Sequence, residues 1–296
     1  MRVVEVPRSL DYRTVESLHA AVGQGDQLPT LFDARRIEWI DPNGMLALLA
    51  AGTVAGMGGT LPRISLPERS EVLGYLNRMG FARAARGIFS PPPPGDGRRQ
   101  SHRASDVLLE ITPVTTNSDV HQVVDRVQSR AGAILAQTLR YPAHAVVRFS
   151  VILSEVCQNI IEHADAPGWV AAQAYNWSRR LGRHVAVIAV CDLGRGFSAS
   201  LAEEHAQRFG GRWGDAAALE AAFLHGYTRF RDAGRGQGIQ QIRRQVARWD
   251  GLLSIRSGTA RIADAPAWSQ SPRMLENLPA FPGAQINIVL PGLRDG

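Results

Sequence analysis

No regular element can pass through Ser90–Arg103, where four consecutive prolines are followed by glycine and polar residues. Proline runs take extended polyproline geometry, and the remainder carries too little apolar surface to bury. Residues 90–104 therefore read as a linker, with one part over residues 1–89 and another over residues 105–296. A chain of 296 residues is long enough for two ordinary domains, each with its own core.

Upstream of the linker, RVVEVP, PTLFDA with RIEWI, and TLPRISLP read as strand material. They alternate with amphipathic helices over YRTVESLHAAV, NGMLALLAAGTVAGM and SEVLGYLNRMGF. Such alternation implies a small α/β layer, a sheet covered by helices. FDARRIEWIDPNGMLALLAAG runs strand, Asp-x-x-Gly turn, helix, and LPERSEVLGYLNRMGF supplies a closing helix. In that order they resemble the STAS domain of anti-sigma-factor antagonists.

Downstream, the strand VLLEITPV leads into a long helix over about residues 118–139. There Val120, Val123, Val124, Val127, Ala131, Ile134 and Leu135 fall at helical spacing. A second helix covers about residues 145–164, and WVAAQAYNW, HVAVIAVCD, LLSIRSG and QINIVLP follow as strands of one mixed sheet. Two helices on such a sheet make an α+β sandwich.

The second helix, VVRFSVILSEVCQNIIEHAD, is two-faced. At 100° per residue Glu155, Asn159, Glu162 and His163 share about a 100° arc, beside an apolar arc of Ile152, Leu153, Val156 and Ile160. A polar face alone is the ordinary condition of a surface helix. Further on, the strand HVAVIAV ends in Cys191-Asp192-Leu193-Gly194-Arg195-Gly196-Phe197, which sets a carboxylate beside backbone that a flat ligand can approach. DxGxG is also an ordinary turn. Gly234-Arg235-Gly236-Gln237-Gly238 then opens the helix IQQIRRQVARW, offering free N–H groups and a positive dipole end to a phosphate. Each signal is weak alone; the three in this order are far more specific.

SEVCQNIIEHA, VCDLGRGF and GRGQGI resemble the N box and the two glycine boxes of the GHKL (Bergerat-fold) ATPases. That superfamily holds histidine kinases, anti-sigma-factor serine kinases, type II topoisomerases and related chaperones. The resemblance spans roughly Val107–Pro291 and implies a Bergerat-fold α/β sandwich that binds ATP with Mg²⁺. It implies that Asn159 ligates Mg²⁺ and that Glu155 is the general base. It further implies that Asp192 accepts a hydrogen bond from the adenine amine, that Gly194 and Gly196 let the base lie against the backbone, and that Gly234, Gly236 and Gly238 wrap the triphosphate. The chemistry suits each role: Mg²⁺ takes hard oxygen ligands, and an acceptor-only carboxylate prefers an amine to a carbonyl.

His163 fits a spacing found in the anti-sigma-factor kinases, and a histidine at a helix end is equally explained by the dipole. Residues 198–233 would form the lid. Within it Thr228, Arg229 and Arg231 resemble the family's Ser/Thr-Arg approach to the second glycine box, so that one arginine would touch phosphate. The family often has a threonine in the closing strand near adenine; PGAQINIVL has Ala284 instead.

Composition narrows the alternatives. All 33 basic residues are arginine, and the lack of lysine excludes a Walker-type P-loop and Schiff-base chemistry. A net charge of +6 raises the question of nucleic acid, but the arginines are spread along the chain in nothing larger than doublets, which argues against it. Cys157 and Cys191 lack CxxC spacing and read as core thiols. No apolar run approaches the roughly 20 residues of a membrane span, and the N-terminus lacks a signal-peptide core, so the expected setting is cytoplasmic.

Three functions fit the resemblance. A serine/threonine kinase of the anti-sigma type would pass the γ-phosphate to a partner protein, with Glu155 deprotonating the hydroxyl. A switch would use ATP only to order the lid and control partner binding. A sensor histidine kinase fits least, because its dimerising helical hairpin would have to occupy the proline linker, and His121 is followed by Gln122 within the first ATPase helix. The partner would be a sigma factor, a STAS antagonist or another signalling protein; a homodimer is left open. The Asp-Ser-Ser-Gly turn that is phosphorylated in free STAS antagonists is here Asp41-Pro42-Asn43-Gly44, with no hydroxyl. The N-terminal part is thus expected to dock or inhibit, or to serve folding or dimerisation, rather than to accept phosphate.

Overall fold

The computed structural model describes residues 1–22, 28–93, 107–137, 139–164, 166–177, 181–228 and 238–293. Within these, the side chains of residues 127–135, 137, 143, 145–146 and 162–163 lie outside the description. Residues 94–104 of the expected linker lie outside it altogether.

The N-terminal part runs β1 (Arg2–Glu5), β2 (Ser9–Leu10), α1 (Val15–Val22), β3 (Thr30–Asp33), β4 (Trp39–Ile40), α2 (Pro42–Gly56), β5 (Arg63–Ser65), α3 (Ser70–Arg78) and α4 (Phe81–Ala84). β1, β3 and β5 form a parallel sheet in that order, and β2 pairs with β4. Asp41 starts α2 as its N-cap, accepting from the Gly44 amide at 2.8 Å, with Pro42 in the first turn where its missing N–H costs nothing. Burial pushes the Asp41 carboxyl up to about 8. The expectation of an amphipathic helix does not hold for α2: every residue from Pro42 to Gly52 is buried. A helix apolar all round must be covered on all sides, and here a second sheet supplies the cover.

That sheet belongs to the C-terminal part, which runs β6 (Leu109–Val114), α5 (Asn117–Gln137), α6 (Ala143–Asn159), a π-helical turn (Ile160–Ala164), β7 (Gly168–Trp177) and β8 (Arg183–Asp192). It continues with α7 (Gly196–Phe209), α8 (Asp215–His225), α9 (Gly238–Arg248), β9 (Leu252–Gly258), β10 (Ala260–Asp264), β11 (Met274–Leu275) and β12 (Phe281–Pro291). The seven strands order β11-β10-β9-β12-β8-β7-β6. The sheet is not mixed as expected: every pairing among the described residues is antiparallel. β12 returns between β8 and β9 and opposes both, and the alternation pattern of a strand carries no information on its neighbours' direction.

Strand alternation sorts the sheet into two covered faces. On β8, Ala186, Ile188 and Val190 join the core beneath α5, α6 and α9, together with Val120, Val123, Ile152, Val156 and Ile242. Ala189 and Cys191 point the other way and share a core with Ala171, Phe281 and the N-terminal residues Leu46, Leu49 and Phe89. Coverage on both sides explains why β8 is nearly continuous in apolar residues. The hydrophobic core therefore does not divide at the proline run. Around this apolar seam lie polar contacts: Arg256 Nε donates to both carboxylate oxygens of Glu16 at 3.1 Å, His19 stacks on Phe281 at 4.0 Å, and Gln285 Nε2 donates to His19 Nε2 at 3.1 Å. Among the described residues, no helix is long and apolar enough to cross a membrane.

Candidate functional site

The site forms where α6 ends. Ile152, Leu153, Val156 and Ile160 are buried as their spacing requires, which leaves Glu155 and Asn159 one turn apart on the neighbouring face. The chain then passes into the π turn, a rare geometry concentrated at functional positions. This turn carries the Ala164 carbonyl out to accept from the Arg195 amide at 3.1 Å. A Cβ on Gly194 would stand 1.9 Å from that carbonyl oxygen, so the turn after β8 closes on α6 only with glycine there. Gly196 opens α7 at φ +69°, in the left-handed region that favours glycine.

Asp192 ends β8 with 7% of its surface exposed. Its Oδ1 accepts from the Gly194 amide at 2.9 Å and from the Ala284 amide at 3.3 Å. Among the described residues, Oδ2 receives no donor. Burial lifts the carboxyl to about 6, against the opposing pull of the two amides. Ala284 has no side-chain hydroxyl, yet its backbone amide orients the carboxylate. Ser257 pins the same corner: its Oγ donates to the Gly283 carbonyl at 2.9 Å and accepts from the Phe197 amide at 3.0 Å. Sequence reasoning missed Ser257, a small polar residue in an apolar strand with no local signature.

The start of α9 completes the pocket. A Cβ on Gly238 would lie 2.6 Å from Glu155 Oε2 and 4.0 Å from Asn159 Oδ1, which places the end of the second glycine motif against the α6 polar face. Asn159 Nδ2 is buried with no partner among the described residues. Thr228 is held through its carbonyl, which accepts from His205 Nε2 at 2.7 Å, while His205 stacks on Tyr227 at 4.7 Å. Asn159, Asp192, Gly196, Thr228 and Gly238 thus line one pocket, between apolar walls that include Val156, Ile160, Val190, Phe197 and Ile239. Its volume is about 60 Å³, room for a few water molecules.

Glu155 and Gly194 border this pocket, through Gly238 and Ala164, rather than line it. The side chain of His163, and Arg229, Arg231, Gly234 and Gly236 entirely, lie outside the described residues. The expected lid over residues 198–233 is a packed wall as far as His225: α7 and α8 occupy it, and Leu219 and Phe223 of α8 belong to the core. Gln240 and Arg243 of α9 fasten that wall by donating to the Phe223 carbonyl at 2.5 Å each, and Arg243 also pairs with Asp264 at 2.7 Å. Cys157 and Cys191 are buried, and burial pushes the Cys157 thiol up to about 12.

No protein-family model matches the chain, and no characterised protein matches it in sequence.

Proposed function

We propose that the chain binds ATP with Mg²⁺ in the pocket between α6, β8, α7 and α9, and that it phosphorylates a serine or threonine of a separate partner protein in the manner of the GHKL kinases it resembles. The observation that carries this reading is the meeting of Asn159, Asp192 and Gly238, from three distant stretches, in one pocket. Asp192 Oδ2 would accept the exocyclic amine of adenine, whereas the carbonyl of guanine would face it acceptor to acceptor. Asn159 Oδ1 would hold Mg²⁺, with the phosphates supplying further oxygens, and its buried Nδ2, without a partner among the described residues, would donate to a phosphate oxygen. Bound Mg²⁺ supplies neutralisation of phosphate charge.

The N-terminus of α9 would offer its amides to the phosphates, with Glu155 beside it. In the transfer the partner's hydroxyl oxygen bonds to the γ-phosphorus, the bond from that phosphorus to the ADP oxygen breaks, and Glu155 takes the hydroxyl proton. The reaction belongs in the cytoplasm, where ATP is. The acceptor would belong to a separate protein: neither Pro42 nor Asn43 offers a hydroxyl, Asn43 is only 5% exposed, and α2 lies on the sheet face away from the pocket. A second reading, an ATP-dependent binding switch, is favoured by the small pocket volume: with room for a few water molecules, the pocket would have to open to take a purine, and that opening would itself be a signal.

Calorimetry on the full-length protein tests the binding. ATP with Mg²⁺ should bind, GTP should bind at least tenfold more weakly, and Asp192→Ala should cost on the order of 1 to 3 kcal/mol or more. Equal affinity for ATP and GTP, or unchanged affinity in Asp192→Ala, would remove the basis of the reading. Incubation with γ-labelled ATP and candidate partners then separates kinase from switch.

A further inference from the structure

A second cluster of unusual chemistry lies in the seam between the N-terminal layer and the sheet, away from the pocket of Asp192. The pairing of β9 with β10 sets Arg261 directly opposite Arg256. Like charges so placed repel, and both residues are buried, at 3% exposed for Arg256 and 7% for Arg261. Glu16 answers Arg256, which also donates to the carbonyls of Gly258 at 3.1 Å and Pro279 at 2.5 Å. Arg261 is treated differently. Its one hydrogen bond among the described residues runs from Nη1 to the Tyr12 carbonyl at 3.1 Å, its Nε has no acceptor, and no carboxylate pairs with it. A buried guanidinium with no carboxylate in contact and without a full set of acceptors is costly to keep, and Glu16, paired with Arg256, attracts it only from a distance.

Arg261 lines a cleft of about 420 Å³ together with Tyr12, Arg13, Trp268, Gln270 and Ser271. Arg13 is engaged by Asp11, its Nε 3.0 Å from Oδ1, so among the described residues lining the cleft Arg261 is the cation without a carboxylate in contact. Trp268, whose indole already donates to the Asp250 carbonyl at 2.7 Å, lines the cleft with the polar residues Gln270 and Ser271. We propose that this cleft is a binding site for a small oxyanion, a phosphate or carboxylate group held by the Arg261 guanidinium and by Gln270 and Ser271. A planar fork of N–H donors matches both groups. The occupant would bridge the Tyr12 segment to β10, next to the edge strand β11, and supply the contact charge that Glu16 gives to Arg256. This site stands independently of the nucleotide reading.

Thermal unfolding of the full-length protein tests it, with inorganic phosphate and citrate titrated separately against sodium chloride of equal ionic strength. Phosphate, citrate or both should raise the melting temperature saturably in the wild type and equally in Asp192→Ala, and the anion that acts names the preferred group. Arg261→Gln should weaken the response at least tenfold. Gln270→Glu should do the same by placing a carboxylate at the exposed rim without touching a buried strand, so the test survives if Arg261→Gln fails to fold. A general stabilisation by excluded salt neither saturates nor depends on these residues. Absence of a saturable response in the wild type, or an undiminished one in Gln270→Glu, overturns the proposal.

Discussion

Replacing Asp192 by asparagine should make the protein more stable and unable to bind ATP. The carboxyl has an ordinary value of 3.8 and is lifted to about 6 in the fold, chiefly by burial. A raised carboxyl holds its proton more tightly in the folded than in the unfolded state, so its charge opposes folding. Below the unfolded value both states are protonated and the cost vanishes; it grows as pH rises from about 3.8 to about 6 and is constant above that. Roughly two pH units at about 1.4 kcal/mol each give about 3 kcal/mol. Asparagine keeps an oxygen for the Gly194 and Ala284 amides and carries no charge to bury. Its NH₂ would occupy the position of Oδ2, facing the adenine amine donor to donor. In urea unfolding, Asp192→Asn should exceed the wild type by about 3 kcal/mol at pH 8, with the gap closing to under about 1 kcal/mol at pH 4. Equal stability at pH 8, or a gap that does not shrink on acidification, would refute this account of the carboxylate.

Two further outcomes follow from the geometry. Glu155→Gln should bind ATP as the wild type does and lose phosphoryl transfer by a factor on the order of 10² or more, read in a single-turnover assay with labelled ATP; a variant that transfers at the wild-type rate would show that another group takes the proton. Glu16→Ala leaves Arg256 buried without its carboxylate and should destabilise the fold by about 3 to 5 kcal/mol, whereas Arg256→Met added to it should restore much of the loss, both measured by urea unfolding.

The elements on either side of the proline run were legible because each carries its own period. HVAVIAVCD was legible as a strand, though not its cover on both faces, and the apolar arc of α6 is buried as its spacing demanded. The α2 segment is apolar and rich in small residues on every side, but its reading as amphipathic overlooked that an all-round apolar helix needs cover from two layers. Strand direction was not legible, since a side-chain pattern is the same whichever way a neighbour runs. The polar face of α6 and the two glycine motifs were visible as motifs, but the meeting of α6 with the first motif depends on the π turn and on Gly194, and nothing local in IIEHA announces that turn. Ser257, His19 and Arg261 were invisible for a plainer reason. Each matters through a contact far away in sequence: Ser257 with Phe197, His19 with Gln285, Arg261 with Tyr12.

The burial of α2 between two layers also bears on how the chain comes to be folded. During synthesis the N-terminal residues appear first, and α2 is then a helix with one face covered and the other, toward the still absent β7 and β8, open to water. Completion of the first layer therefore waits on strands made more than 100 residues later. The two parts cannot mature as separate beads on a string: the first needs the second as its cover, and the outer face of the sheet, with Ala171, Ala189 and Phe281, needs the first. The proline run thus joins two half-finished surfaces, and its contribution is greatest while they are still searching for each other, when holding them on one chain raises their effective concentration. Once the seam has closed, shared apolar packing and the Glu16–Arg256 pair hold the parts together.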